Sequence, residues 1–260
     1  TGQSQSGNFE VVYNAEGYFP DTLELDLING ELVIQNVSLL PEFSFSKNGR
    51  VIDDNGQEIA NAKVRLYSGL TFYEKIANEE GYFYMDTLYQ SDNYVFMSGK
   101  WGYVTNCLNN FNISDDGTDL EIVLSEGYYD DFAFDFGWEV SGTASSGIWE
   151  YGSPYGIISD NQYITPPYDI SNDCYSNAYI TGNTVGPLGA DDVDEGSTIL
   201  SSPFFDISTL SKPTIEFQQW FVNFGGWTDA NDSLIVRLSN GNESVDLDIT
   251  IAQFNNEWQQ

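Results

Sequence analysis

Residues 8–18, NFEVVYNAEGY, align with residues 93–103, NYVFMSGKWGY, and we call this alignment, in which Asn8 lies over Asn93, the repeat register. The register continues without a gap until residues 37–39, VSL, align with residues 122–124, IVL. The second copy extends backwards to about residue 43, and nothing in the chain corresponds to that earlier part in the first copy. Because a repeat that begins in its middle cannot bury its own apolar face, we expect this chain to be part of a longer modular protein.

Short alternating runs rich in Val, Ile, Tyr, Phe and Thr dominate the chain, and helical periodicity is nearly absent. Examples are residues 63–67, KVRLY, residues 81–85, GYFYM, and residues 233–238, SLIVRL. Turn signals separate these runs, such as DNG at 54–56 and SNGN at 239–242. Turns about 8–12 residues apart are typical of antiparallel sandwiches. The sequence therefore predicts an all-β chain.

The same signals divide the chain into three predicted modules. Residues 1–41 form the C-terminal half of a first small sandwich, residues 43–125 a complete second one, and residues 128–260 a larger third module. The predicted linkers between the modules are very short. We therefore expect neighbouring modules to touch rather than to move independently.

The charge balance is strongly acidic, with 40 acidic residues against 8 basic ones and a net charge of −32. Such a field repels nucleic acids and anionic lipid surfaces, so neither is an expected partner. It attracts hard cations that prefer oxygen ligands, calcium above all. The same acidity equally fits a secreted protein that only has to stay soluble.

Two further features of the composition exclude classes of chemistry. The chain has no histidine, which excludes histidine-based general bases, the Ser-His-Asp triad and ordinary zinc sites. Cys107 and Cys174 are too few for a disulfide framework, and they fall in different predicted modules. No apolar run reaches the roughly 18 residues of a membrane-spanning helix, so no membrane insertion is expected.

The second predicted module carries a set of short motifs along its whole length. They are GRVIDDNG at 49–56, IANAKV at 59–64, NEEGYF at 78–83, NYVF at 93–96 and GY at 102–103. With these motifs the module resembles the carboxypeptidase regulatory-like domain. The resemblance implies a small seven-stranded sandwich of prealbumin- or immunoglobulin-like type. Such domains usually act as spacers or docking platforms.

The third predicted module carries another set of motifs. They include DDF at 130–132, GWEV at 137–140, GIWEYGSP at 147–154, AYITGN at 178–183, DDVDEG at 191–196, LSSPFFDI at 200–207, PTIEF at 213–217 and DSLIV at 232–236. This module resembles a MAM-like jelly roll of large secreted proteins of Bacteroidetes-type bacteria, often found beside peptidase domains. The resemblance implies a larger jelly-roll β-sandwich, truncated at Gln260, and an extracellular or outer-surface location. It also implies export by the type IX route.

Acidic loops in the third module predict a structural calcium site. Clustered carboxylates are costly unless a cation neutralises them. In a jelly roll, early and late strands can meet at one end and bring distant loops together. The predicted ligands are Asp130 or Asp131, Asp192, Asp194, and Asp229 or Asp232. The alternative is that all of these are solvated turn aspartates.

Aromatic residues suggest a contact surface for a glycan or a protein. Trp138, Trp149 and Trp220 sit in strand-like runs and are predicted to be core. Trp227 lies on a predicted loop and is the main candidate for an exposed contact. Tyr155, on the long irregular stretch from 150 to 177, is a second candidate, since long loops on rigid sandwiches often bind ligands.

A short Asp-(Ser/Thr)-aliphatic pattern predicts acceptors for O-linked glycans. The same bacterial group uses this pattern for glycosylation, so it follows from the resemblance and not from any geometry. The matching residues are Thr22, Thr87 and Ser233.

These observations favour a non-catalytic adhesion, binding and spacer region of a large secreted or cell-surface bacterial protein. Its expected partners are adjoining domains of the same polypeptide, a glycan or protein at a cell surface, or the secretion machinery. The alternative is the accessory C-terminal region of a secreted metallopeptidase whose catalytic domain lies outside this chain. A third hypothesis is an enzyme within the chain, such as a glycosidase that uses paired carboxylates. Forty acidic residues produce such pairs by chance, so we expect no catalytic residue here.

Overall fold

The computed structural model describes residues 6–69, 71–159, 161–171, 173–184, 189, 191–223, 232–251 and 254–260. In this part of the chain every regular element is a β-strand, which confirms the predicted all-β sandwich fold. The chain divides into two compact units, Thr1–Gly127 and Tyr128–Gln260. Among the described residues, no helix is long and apolar enough to cross a bilayer.

The described residues of the first unit form nine strands. They are β1 (Gly7–Tyr13), β2 (Asp21–Leu27), β3 (Ser44–Asp53), β4 (Lys63–Ser68), β5 (Thr71–Ile76), β6 (Tyr82–Tyr89), β7 (Ser91–Gly99), β8 (Asn106–Ile113) and β9 (Leu120–Leu124). Strands β3 to β9 form two sheets, with the orders β6-β3-β9 and β5-β4-β7-β8. The β3–β9 pair is parallel, and the other pairs in this unit are antiparallel.

The core of the first unit lies between these two sheets, because both contribute side chains to one buried cluster. Val51 on β3 and Met85 on β6 come from one sheet, and Leu66 on β4 and Phe96 on β7 come from the other. Burial of each such side chain contributes about 1.5–3 kcal/mol. The alternating runs seen in the sequence thus place their apolar residues in this core.

The β1–β2 hairpin repeats the β7–β8 hairpin in the same repeat register. The pairs Val12↔Thr22 and Tyr13↔Asp21 in the first hairpin match Met97↔Cys107 and Ser98↔Asn106 in the second. The bridge between Tyr18 and Pro41 matches the bridge between Tyr103 and Glu126. The two hairpins therefore share one pattern of strand pairing.

The hydrogen bonds of the turns that follow the two strands are repeated as well. The amide of Tyr18 donates to the carbonyl of Ala15 at 3.2 Å, and that of Tyr103 donates to Lys100 at 2.9 Å. Gly17 accepts from Glu42 at 2.8 Å, and its counterpart Gly102 accepts from Gly127 at 3.0 Å. Both glycines have a positive φ, 78° for Gly17 and 93° for Gly102, and residues with a Cβ rarely adopt this backbone conformation.

In the second unit, the part of the chain that the structure describes forms ten strands. They are β10 (Glu139–Gly142), β11 (Glu150–Gly152), β12 (Ile158–Ser159), β13 (Gln162–Tyr163), β14 (Ala178–Ile180), β15 (Thr198–Ser201), β16 (Gln219–Val222), β17 (Ser233–Ser239), β18 (Ser244–Ile251) and β19 (Phe254–Gln259). Within the described residues they form five antiparallel pairs, β10–β15, β11–β14, β12–β13, β16–β19 and β17–β18. The buried residues of this unit include Phe134, Ile164, Ala178 and Ile180.

Candidate functional site

The candidate site begins at the start of the second unit, where Asp130 and Asp131 fold back onto their own backbone. Oδ1 of Asp130 accepts from the amide of Phe132 at 2.9 Å, and Oδ1 of Asp131 accepts from the amide of Ala133 at 3.1 Å. A short acidic side chain can bond to the backbone two residues on, which stabilises this kind of turn. Asp131 is only 3% exposed, so its carboxylate is held inside the unit.

A second pair of carboxylates, Asp169 and Asp173, approaches from the irregular segment before β14. The amide of Cys174 donates to Oδ2 of Asp131 at 3.4 Å, which ties the two segments together. The hydroxyl of Tyr129 donates to Oδ1 of Asp173 at 3.2 Å. We name Asp130, Asp131, Asp169 and Asp173 the carboxylate cluster. Sequence reasoning found the first pair and missed the second.

Burial and mutual repulsion favour the uncharged form of several carboxyls in the cluster. Burial raises the pKa of Asp130 to about 6, although the Trp138 indole and the Phe132 amide oppose the shift. Burial, with repulsion from Asp173 and Asp131, raises the pKa of Asp169 to about 7. Burial, with repulsion from Asp131, raises the pKa of Asp173 to about 6.

One oxygen of the cluster has no hydrogen-bond donor among the described residues. Oδ2 of Asp169 is buried and accepts no hydrogen bond from them, while Oδ1 accepts from the amide of Ile170 at 2.8 Å. A buried carboxylate oxygen without a donor is costly as long as the group is charged. A proton or a cation at this oxygen would remove that cost.

Aromatic rings surround the first pair of aspartates. The indole Nε1 of Trp138 donates to Oδ2 of Asp130 at 2.8 Å. The ring of Phe132 lies edge-on to Trp138 and to Tyr179, with centroids 5.4 and 5.3 Å apart. The hydroxyl of Tyr151 donates to the carbonyl of Phe132 at 2.7 Å. The Trp138 indole and the rings packed on it thus help to keep water away from one side of the Asp130 carboxyl.

The structure places the other predicted metal ligands in different surroundings. Asp194 forms a bridge with Ser146, and its carbonyl accepts from the amide of Ser145 at 2.9 Å. The carbonyl of Asp192 accepts from the hydroxyl of Ser146 at 2.8 Å. The carbonyl of Asp232 accepts from the side-chain amide of Asn223 at 2.9 Å. Their backbone carbonyls therefore hold loops together.

In the part of the chain that the structure describes, no three or more His, Cys, Asp or Glu side chains are arranged to hold a metal ion. The carboxylates that interact electrostatically with Asp130 include those of Asp131, Asp135 and Asp173. Asp229, another predicted ligand, lies outside the described residues. The predicted calcium site therefore stays a prediction.

The predicted contact residues can be followed only in part, because Trp227 lies outside the described residues. Tyr155 is 55% exposed, and its amide donates to Oδ1 of Asn183 at 2.9 Å, so its ring is presented on an anchored backbone. Trp138, Trp149 and Trp220 are half-buried. The predicted glycan acceptors Thr22, Thr87 and Ser233 are all exposed.

One shallow depression in the second unit lies between β10 and β15 and has a volume of about 170 Å³. Val140 and Ile148 form part of its lining, together with the backbone at Gly142. Pockets that enclose small organic ligands usually measure about 300–1,000 Å³. This depression is therefore small for such a ligand.

Neither a comparison with protein-family models nor a search of curated proteins finds a match for this chain.

Proposed function

We propose that this chain is a non-catalytic binding and spacer region of a large secreted or cell-surface bacterial protein. The observation that carries the proposal is the hairpin and turn that recur in the repeat register, down to the same backbone hydrogen bonds. Repeated modules of this kind stack or string along a chain and offer surfaces rather than reaction centres. Exposed aromatic side chains such as Tyr155 supply contact area for a glycan or protein partner.

The location and size of the native polypeptide test this proposal. Peptides of this sequence should occur in the extracellular or outer-surface fraction, on a polypeptide much heavier than 29.1 kDa. Flanking peptides with further sandwich repeats would favour adhesion. A His-Glu zinc motif in the flanking peptides would instead favour the accessory region of a metallopeptidase. Recovery of a 29.1 kDa protein from the cell interior would contradict the proposal.

Structural calcium in the second unit is part of the proposal, with Asp130 and Asp131 as ligands. Support comes from the charge gathered there, because Asp173 interacts electrostatically with Asp130 and Asp131, and Asp169 with Asp131. Calcium takes six to eight oxygen ligands, including carboxylates, carbonyls and water. A bound cation would offset the burial and the repulsion that together raise the pKa values of Asp130, Asp169 and Asp173.

Thermal unfolding with calcium and with a chelator at pH 7.5 tests the calcium proposal. A ligand at a hundred times its Kd stabilises the bound state by about 2.7 kcal/mol, so the second unit should melt higher with calcium. Asp131→Asn should remove this gain, because an amide still accepts from Ala133 but carries no charge. The control Asp115→Asn changes an exposed loop residue of the first unit and should keep the gain. Equal melting with and without calcium would contradict the site.

A further inference from the structure

Two tyrosines of β6 lie side by side on the outer face of the sheet β6-β3-β9. Phe83 and Met85, which alternate with them along the strand, belong to the core and are 6% and 0% exposed. Tyr82 and Tyr84 are 49% and 54% exposed. Residues two apart on a strand lie about 7 Å apart on the same face. The two tyrosines therefore offer a pair of neighbouring rings to the solvent.

A row of polar side chains crosses the sheet beside Tyr82. Arg50 on β3 is the cross-strand neighbour of Tyr82 on one side and of Glu121 on β9 on the other. Nε and Nη2 of Arg50 donate to Oε2 of Glu121 at 3.0 and 2.5 Å, although the two side chains stay 40% and 52% exposed. A guanidinium has five N–H donors, so the bonds to Glu121 do not use up those of Arg50.

A second polar row crosses the sheet beside Tyr84. The cross-strand neighbour of Tyr84 on β3 is Asn48, whose Nδ2 donates to Oδ1 of Asp119 at 3.4 Å. Asn48 and Asp119 are both exposed. A side-chain amide has two donors and an acceptor, and a carboxylate accepts through two oxygens, so this row also has capacity for a ligand. We name the residues of the two rows the tyrosine face, namely Asn48, Arg50, Tyr82, Tyr84, Asp119 and Glu121.

The combination of rings with paired donors and acceptors fits a saccharide. A sugar ring has an apolar C–H surface that packs on an aromatic ring, and its hydroxyls both donate and accept hydrogen bonds. Neighbouring strands lie about 4.8 Å apart, so the three strands span about 10 Å, which suits a short stretch of sugar chain. Because tyrosine is favoured in strands whatever its role, the polar rows beside the rings carry this argument.

The charge of the tyrosine face indicates that this saccharide is neutral. The face holds one cation and two acids, and the whole chain has a net charge of −32, so an anionic ligand would be repelled. A protein partner would take the pair of Arg50 and Glu121 out of water, which is costly. Hydroxyl groups can replace water around this pair and keep its polar atoms hydrogen-bonded.

We propose that the tyrosine face binds a neutral polysaccharide. The rings of Tyr82 and Tyr84 pack on sugar rings, and the side chains of the two polar rows bond to sugar hydroxyls. The proposal rests on the binding role proposed above, for which it names a class of ligand and a place in the first unit. It requires neither calcium nor any residue of the second unit.

Native electrophoresis of the whole chain through gels that contain a soluble neutral polysaccharide tests the proposal. The probes are a β-glucan, an α-glucan, a mannan and a xylan, each in its own gel. A gel without polysaccharide and a gel with anionic polygalacturonate are the references. At least one neutral probe should slow the chain, whereas polygalacturonate should not. Equal migration in every gel, or slowing by polygalacturonate alone, would overturn the proposal.

Variants of the two tyrosines show whether this face is the one that binds. Tyr82→Ala combined with Tyr84→Ala should raise the Kd for the slowing probe about tenfold or more, because both ring surfaces are lost. Tyr82→Phe combined with Tyr84→Phe keeps the rings and should keep most of the affinity. An unchanged Kd in the alanine variant would overturn the proposal. Asn48→Ala provides a check that leaves both rings in place, and it should raise the Kd about threefold through a lost hydrogen bond.

A matched control removes an exposed ring elsewhere in the first unit. Phe72 lies on β5 in the other sheet and is 51% exposed, so Phe72→Ala should leave the Kd unchanged. Urea midpoints of all variants show that each remains folded. Slowing that is lost in Tyr155→Ala but kept in the double alanine variant would overturn this inference, while it would support the binding role proposed above.

Discussion

Two glycines of the first unit have the same left-handed backbone but different surroundings. Gly81 has a φ of 75°, and a Cβ built there would lie 2.7 Å from the carbonyl oxygen of Val51. Gly56 has a φ of 79°, and a Cβ there would meet open space. A residue with a Cβ would therefore strain the backbone at both positions, and it would also clash with a neighbouring atom at Gly81.

This difference predicts unequal losses of stability. Gly56→Ala should destabilise the first unit by about 1–2 kcal/mol through left-handed strain. Gly81→Ala should cost about 3 kcal/mol or more, because overpacking against rigid backbone adds to the same strain. Urea denaturation of the two variants measures both losses. Equal losses would contradict the close approach of Val51 to Gly81.

The carboxylate cluster shows which residues of the site the sequence could predict. Asp130 and Asp131 are adjacent and stand at the start of a motif, so their pairing is visible in the sequence. Asp169 and Asp173 lie much later in the chain, in an irregular stretch, and only the fold brings them close. Sequence patterns carry local periodicity, whereas a contact between two loops depends on the path of the chain.

The sequence predicts where individual strands of the first unit lie, but it does not predict which strands pair with each other. The alternating run at 63–67 lies in β4, and the run at 81–85 lies largely in β6. The parallel pairing of β3 with β9 has no local signal, because alternation specifies the faces of a strand and not its partner. The segment 35–39 makes the same point, since it aligns with β9 and is not a strand.

Strand β4 lies inside its sheet and should be sensitive to loss of volume. Leu66 is fully buried between the two sheets, so Leu66→Ala should destabilise the first unit by about 2–5 kcal/mol. Ile76 lies on the neighbouring edge strand β5 and is 60% exposed. Ile76→Ala removes a similar side chain and should cost much less. Denaturant midpoints measure the difference, and similar costs for the two variants would contradict this packing.

Across the whole molecule, three shifted aspartates of the first unit and the carboxylate cluster of the second unit respond to acid in opposite directions. In the first unit, hydrogen bonds lower the pKa values of Asp53, Asp86 and Asp116, chiefly from the Gln57 amide, from Lys75 and from Lys47 respectively. Their contribution to stability is present above the ordinary pKa of 3.8 and is lost as the pH falls below it.

In the second unit, the raised pKa values of Asp130, Asp169 and Asp173 make the charged state costly. Their contribution is complete below pH 3.8 and is lost as the pH rises through about 6 to 7.

In calcium-free buffer the second unit should therefore be more stable at pH 5 than at pH 7.5. Tryptophan fluorescence during urea denaturation reports mainly on this unit, because five of the six tryptophans lie after Tyr128. Asp169→Asn should reduce the difference between the two pH values, since an amide does not titrate. A lower midpoint at pH 5 than at pH 7.5 in the unchanged chain would contradict the prediction.

The hydrogen bonds that the amides of Glu42 and Gly127 donate to Gly17 and Gly102 also suggest how the gene can change in length. Each joins the end of one copy to the glycine turn of the same copy, and the two joints occupy equivalent positions in the repeat register. A tandem duplication with breakpoints at these joints would add a complete copy and leave the existing turns intact. Genes of this lineage should therefore vary in length by whole steps, each equal to the distance from the codon of Glu42 to that of Gly127. Recombination between copies would gain or lose whole modules without shifting the reading frame.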